Sequence, residues 1–314
     1  MYKHVKNLPK VIRIEPASLC NLKCSHCPTG TVSMKRTTMD WTIFESLLNS
    51  LFPYANSIQV FVLYHGGEPL LNKVFSKMVS DLKNKFPRAK IKTVSNGMLL
   101  NENNSKQIIE SGLDEIEFSI DGESPEDNNK IRRNADFEKV SYNIKEFLKL
   151  KSSMGLLSPK VYISTTQFID VLKLNGHGTR NAHPPKYLLD TFSKELSDGH
   201  IIGLKSTYAM EWPHMVVDPE LYQSVIDSEE QNIKNYCDHV ENTLTVRANG
   251  DVVPCCYDLT SQKKMGNINE QSLNDIWNGA KYQTLRTEIS NGKPSGICAN
   301  CNVVMKSKYL VKRF

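Results

Sequence analysis

The chain has 314 residues, 39% of them hydrophobic, and a formal net charge of +5. That is enough for one large domain with an extension or for two domains, and the ordinary composition excludes collagen-like, low-complexity and disordered classes. The charged start "MYKHVKNLPK" has no apolar signal region, and no apolar run nears the roughly 20 residues of a membrane span, so a cytoplasmic protein without a membrane partner is expected. Thiols stay reduced there, and the eight cysteines should bind metal or do chemistry rather than staple the fold. No nucleic-acid-binding motif is present, and the basic tail "MKSKYLVKRF" reads as a solvated terminus.

Six short runs rich in Val, Ile, Thr, Tyr and Phe predict strands: "VIRIEP" (11–16), "SIQVFVLY" (57–64), "KIKTVS" (90–95), "EIEFSI" (115–120), "KVYISTTQF" (160–168) and "IIGLKSTY" (201–208). Amphipathic stretches lie between them. "DWTIFESLLNSLF" has Asp40 as N-cap, and "NKVFSKMVSDLKNKF" starts from Asn72. "NENNSKQIIESG" ends on Gly112, and "DFEKVSYNIKEFLKLK" follows Asp136. Repeated β-α units imply an α/β fold with a parallel sheet and right-handed crossovers. Six units are too few for a closed eight-stranded barrel, so the reading is a partial (β/α)6 TIM-like barrel with its site at the strands' C-terminal ends.

Past residue 215 the pattern changes. "NTLTVRANGDVVPCCYD" predicts a hairpin turning at "ANGD", followed by short helical stretches and "CANC". The expected division is a barrel core over 1–215 and a small cysteine-rich module over 216–314, with a soft boundary near 215–235.

"CNLKCSHCP" places Cys20, Cys24 and Cys27 in one loop after the first strand. Three thiolates can hold three corners of a cubane iron–sulfur cluster and leave one iron open. The alternative is zinc, with His26 or a distant residue as fourth ligand. "HGGEP" follows the second strand, "SNG" the third, and "SIDG" ends the fourth, all at the same end of the sheet. Each of these can also be plain turn chemistry.

In this order the motifs resemble the radical S-adenosylmethionine (SAM) superfamily over nearly the whole chain. The resemblance implies a [4Fe–4S] cluster on Cys20, Cys24 and Cys27 whose open iron chelates SAM. It implies reductive cleavage of SAM to a 5′-deoxyadenosyl radical that abstracts a hydrogen atom from an unactivated carbon. It assigns Gly66, Gly67, Glu68 and Pro69 to the amino group of SAM, and Ser95, Asn96, Ser119 and Asp121 to its ribose and carboxylate. His26 stands where the family usually has an aromatic residue near the adenine. A flavodoxin- or ferredoxin-type protein is the implied electron donor.

Cys237, Cys255, Cys298 and Cys301 read as C-x17-C-x42-C-x2-C, a closed four-thiolate set that on spacing alone suits zinc or a cluster. With Gly250 before "VVPCC", the segment resembles the SPASM or twitch extension of radical SAM enzymes, which implies one auxiliary [4Fe–4S] cluster here. Cys256 is left over, either a buried thiol or a hydrogen-atom donor to a substrate radical.

The long loop 169–186 offers His177, Arg180 and His183, "MEWPHM" offers Glu211, Trp212 and His214, and Arg132 and Arg133 follow "SIDG". Their polarity suggests a polar substrate, and together with the resemblance this implies dehydrogenation or epimerisation of a small polar metabolite, a sugar or aminocyclitol. A ribosomally made peptide is the alternative substrate, and only ten residues precede the first strand, which argues against a fused leader-binding domain. A zinc-binding structural protein is the alternative from outside enzymes.

Overall fold

The β-rich runs pair because their alternate residues form one continuous apolar face. A computed structural model of the chain describes residues 8–170, 182–226 and 234–313. The six expected strands are β1 (Val11–Ile14), β2 (Val60–Val62), β3 (Lys90–Ser95), β4 (Glu115–Ser119), β5 (Lys160–Gln167) and β6 (Ile201–Tyr208). They lie side by side in that order, all parallel. Ile12, Phe61 and Ile91 align across β1, β2 and β3, as do Ile116 and Val161 across β4 and β5, and all five are fully buried.

The helices cover that apolar face. They include α1 (Trp41–Leu51), α2 (Phe75–Lys85), α3 (Glu102–Glu110), α4 (Pro125–Ile131) and α5 (Phe137–Ser153). α1 buries Phe44, Leu47, Leu48 and Leu51, a helical stripe facing the sheet. Asp136 caps α5 by accepting the Lys139 amide at 3.2 Å. Asp40 occupies the N-cap of α1 but makes no side-chain cap bond. Asn72 does not start α2, which begins three residues later. Its amide is instead committed to Pro16 O and Met39 O, tying the second loop to the first.

The C-terminal hairpin joins this same sheet. β7 (Thr243–Val246) runs parallel to β1, pairing Thr243 with Val11 and Val246 with Ile14. β8 (Asp251–Val253) and β9 (Gly266–Asn267) follow antiparallel, completing a nine-stranded sheet. Gly250 turns the hairpin at φ +84°, where a Cβ would overlap Asn269. The tail is not the solvated terminus the sequence suggests. Lys308–Lys312 is a strand between Tyr222–Ile226 and Ile169–Asp170, and Leu310 and Val311 are fully buried. Alternating Tyr, Leu and Val outweigh the flanking lysines, and Lys312 reaches Asp127 at 2.7 Å. Among the described residues no helix is long and apolar enough to cross a membrane.

Candidate functional site at the C-terminal ends of the strands

The three-cysteine loop leaves β1 and is held from two sides. Lys23–Cys24 pairs antiparallel with Arg132–Arg133. Ser25 donates its amide to Ile131 O at 2.9 Å, and its hydroxyl lies 2.6 Å from that of Tyr222. Pro28 then opens a short helical turn, with Gly30 N on Cys27 O. Burial pushes the Cys20 thiol up to about 11 and that of Cys24 to about 12, with neighbouring thiols adding to it and Arg132 opposing. A metal must therefore displace protons from these sulfurs when it binds.

The donor chemistry fits an iron–sulfur cluster. Among the described residues no three or more His, Cys, Asp or Glu side chains gather closely enough for a single metal ion. Yet the charges on Cys20, Cys24 and Cys27 influence one another, as do those on Cys255, Cys298 and Cys301, with Cys237 close to Cys298 and Cys301. Thiols near one another, but not closed on a point, match a polynuclear group. His26 turns its Nε2 toward Asp121, 3.5 Å away, and its ring edge toward Phe168, while its buried Nδ1 has no hydrogen-bond partner.

Around the loop the motif residues form two clusters. In the first, Glu68 is only 2% exposed, and its oxygens accept from Ser95 Oγ at 2.9 Å, Asn96 N at 2.8 Å and Leu70 N at 3.1 Å. Glu68 thus fastens "GGEP" to "SNG". Asn96 in turn donates to Asn21 Oδ1 at 2.8 Å, with Cys20 Sγ 4.0 Å away. A Cβ on Gly67 would overlap the backbone of Ala17–Leu19, so this glycine is required by packing against the cysteine loop. Gly66 O accepts from the Thr29 hydroxyl, and Pro69 starts a buried turn.

The second cluster centres on Asp121. Its carboxylate accepts from Arg132 Nη1 at 2.6 Å and Thr166 N at 2.8 Å. Burial alone would raise its pKa, but Arg132 and His26 hold it below the usual range. Ser119 lies beside Ser164, 3.3 Å between hydroxyls.

The four C-terminal cysteines are all buried, each 5–6% exposed. Cys237 precedes the short helix Asp238–Asn242, Cys255 follows β8, and Cys298 and Cys301 flank a tight turn. Cys256 hydrogen-bonds Arg13 and lies 3.8 Å from His239 Nε2, and its charge also acts on Cys237, Cys255 and Cys301.

Of the substrate-loop residues, His177 and Arg180 lie outside the described residues. His183 and His214 are exposed. Trp212 packs on Tyr257 with ring centroids 4.8 Å apart. Arg132 is spent on Asp121, and Arg133 faces Asp218 at 3.7 Å. Sequence reading missed Arg13, Glu15, His239 and Arg247. Arg13 in β1 and Glu15 just past its end were legible only as polar residues alternating with Ile12 and Ile14. A groove on the outer helical layer, lined by Leu100, Ser105, Tyr142, Glu146 and Leu150, holds none of the site residues.

Residues 14–161 match the family model of the radical SAM superfamily, and residues 237–302 match SPASM, an iron–sulfur cluster-binding domain. The chain belongs to the radical SAM superfamily and carries a SPASM domain. Membership brings SAM and a [4Fe–4S] cluster to the first site and iron–sulfur to the second, and it sets aside the zinc-binding structural protein. Two relatives of this radical SAM chain align almost end to end. The tungsten-containing aldehyde ferredoxin oxidoreductase cofactor-modifying protein of Pyrococcus furiosus is 24% identical over 94% of this chain and 87% of its own. The S-adenosyl-L-methionine-dependent 2-deoxy-scyllo-inosamine dehydrogenase of Niallia circulans is 24% identical over 94% of this chain and 93% of its own. Among solved structures, BtrN in complex with AdoMet and 2-DOIA superposes with a TM-score of 0.58 at 21% identity, covering 95% of this chain and 94% of that one.

Proposed function

We propose that this radical SAM enzyme dehydrogenates or epimerises a small polar metabolite, a sugar or aminocyclitol, by hydrogen-atom abstraction. The observation that carries the reading is the near end-to-end correspondence with a SAM-dependent dehydrogenase of an aminocyclitol. Residues 1–215 form the SAM-cleaving core in this reading, and 216–314 the auxiliary module. Cys20, Cys24 and Cys27 would hold the first cluster, and Cys237, Cys255, Cys298 and Cys301 a single auxiliary one. Bound SAM supplies the hydrogen-abstracting radical. The protein's part is positioning. Glu68, Ser95 and Asn96 fix the Gly66–Gly67 backbone that would carry the amino group of SAM, while Ser119, Asp121 and His26 border its remaining parts. Four thiolates leave no iron open, so a cluster held by Cys237, Cys255, Cys298 and Cys301 would supply electron transfer rather than substrate binding, with a flavodoxin- or ferredoxin-type protein as the electron donor.

The test is anaerobic reconstitution followed by incubation with SAM and dithionite. A brown protein that releases 5′-deoxyadenosine, and does so faster with a sugar or aminocyclitol from a candidate panel, supports the proposal. Stimulation by a peptide alone would replace the metabolite with a peptide substrate.

A further inference from the structure

The face of the sheet opposite the helices carries charges that the SAM-binding loops do not use. Side chains alternate along a strand, and paired residues on neighbouring strands point the same way. β1 sends Ile12 and Ile14 into the helix-covered core and Arg13 to the other, concave face. The register places Val62 beside Arg13 and Lys92 beside Val62. On the same face Glu117 aligns with Tyr162, and Ser164 with Lys205.

Most of these charges are matched. Lys205 pairs with Glu117 and lies 4.2 Å from the centre of the Tyr162 ring, and Glu115 is taken by Lys90. Neither Arg13 nor Lys92 forms an ion pair with a described carboxylate. Arg13 is 8% exposed, its Nε has no hydrogen-bond partner, and its guanidinium sits 5.4 Å from the Tyr64 ring. The ionisable groups acting on it are Cys256, Tyr64 and Cys255, with no carboxylate among them. Burial lowers the pKa of Lys92; Glu115 and Glu117 oppose this, while Lys205 and Arg13 add to it, so Lys92 shares the concave surface with two other cations. Cys256 hydrogen-bonds the guanidinium but leaves it without a carboxylate partner, and the planar fork of Arg suits a carboxylate or phosphate.

We propose that the concave face binds an oxyanion group of the substrate, carboxylate or phosphate, between Arg13 and Lys92 and next to Cys256. This rests on the radical SAM reading above and narrows its polar metabolite to an anionic one, a sugar acid or sugar phosphate. A substrate anchored there would present its carbon skeleton toward the strand ends where SAM is expected.

The experiment is calorimetric titration of the anaerobically reconstituted full chain with inorganic phosphate and, separately, with acetate. Saturable binding of either probe is expected, and Arg13→Gln should weaken it at least tenfold, while SAM affinity in the same samples stays unchanged. Lys92→Gln, at a partly exposed position, should weaken it as well and keeps the test valid should the Arg13 variant not fold. Which probe binds more tightly separates a phosphate from a carboxylate substrate. Absence of saturable binding by both probes in an enzyme that still cleaves SAM overturns the proposal and leaves the radical SAM reading intact. Unchanged phosphate affinity in Arg13→Gln, with a shifted auxiliary-cluster potential, also overturns it, because Arg13 would then serve only as a counter-charge to the cluster.

Discussion

Glu15 and Arg247 form a buried ion pair, Oε2 accepting from Nε at 3.2 Å, while Oε1 of the same carboxylate accepts the Gly66 amide at 3.0 Å. One side chain thus joins the C-terminal hairpin, whose Ala248 amide it also accepts at 3.0 Å, to the loop expected to carry the amino group of SAM. Removing Arg247 leaves a carboxylate stranded in a site that is 0% exposed, a change that costs about 3–5 kcal/mol in comparable buried pairs. Arg247→Ala should lower the Tm and also weaken SAM binding several-fold in the reconstituted protein, with Arg247→Lys restoring part of both. A lower Tm with unaltered SAM affinity would mean that the pair only braces the fold.

The same corner makes stability pH-dependent. Burial depresses His65 to about 4, with Glu15 opposing, and its Nε2 lies 3.2 Å from Asp258 O. A histidine depressed in the folded state stabilises fully above its unfolded value near 6.5 and loses that contribution as the pH falls toward 4. The shift amounts to about 3 kcal/mol. Burial would raise the Glu15 carboxyl, but His65 and Arg247 bring it below its ordinary 4.5, so its loss comes later, at still lower pH. Thermal unfolding from pH 7 to pH 4 should show a fall in Tm that His65→Asn largely removes. A parallel decline in both proteins would place the acid sensitivity elsewhere.

How much of this was legible in the sequence depended on whether a pattern was local. The strands β3 and β6 were readable to the residue, since their β-branched runs are bounded by turn residues. The cysteine sets stood out by their spacing, and the thiols of each set act on one another in the fold. What escaped was non-local. Nothing in "NTLTVRANGD" says that its first arm adds in parallel to β1, and nothing near Glu15 shows that its partner lies more than two hundred residues later. Asn72 misled for the same reason: its local appearance is a helix cap, but its amide is drawn to carbonyls of two other segments.

The two cysteine sets should be separable. Cys24→Ala and Cys298→Ala are each expected to cut iron content by roughly half, since each leaves one cubane intact. Only Cys24→Ala should abolish formation of 5′-deoxyadenosine. Loss of SAM cleavage in Cys298→Ala with the first cluster still present by EPR would require the auxiliary site to act in that step.

Arg132 tests the other cluster. Its guanidinium binds Asp121 at 2.6 Å, is 9% exposed, and acts on Cys20 and Cys24. The contact is a single Nη1–Oδ2 hydrogen bond between buried charges. Arg132→Ala should therefore destabilise the cysteine loop by about 3–5 kcal/mol, and Arg132→Lys by less because it keeps the charge. The expected readout is faster loss of the first cluster to a chelator, with the auxiliary cluster unaffected.

Cys256 decides between the two reaction outcomes. Its sulfur is 3.8 Å from His239 Nε2 and hydrogen-bonds Arg13, so it adjoins the proposed anion site. An S–H group there can return a hydrogen atom to a substrate radical. In an epimerisation, Cys256→Ala should keep both clusters and still cleave SAM, yet yield little epimer, and the wild-type enzyme in deuterated water should place deuterium at the reacting carbon. In a dehydrogenation, where the second electron leaves through the auxiliary cluster, the same variant should retain product formation and no solvent deuterium should appear. Full epimer from Cys256→Ala would remove the thiol from the mechanism altogether.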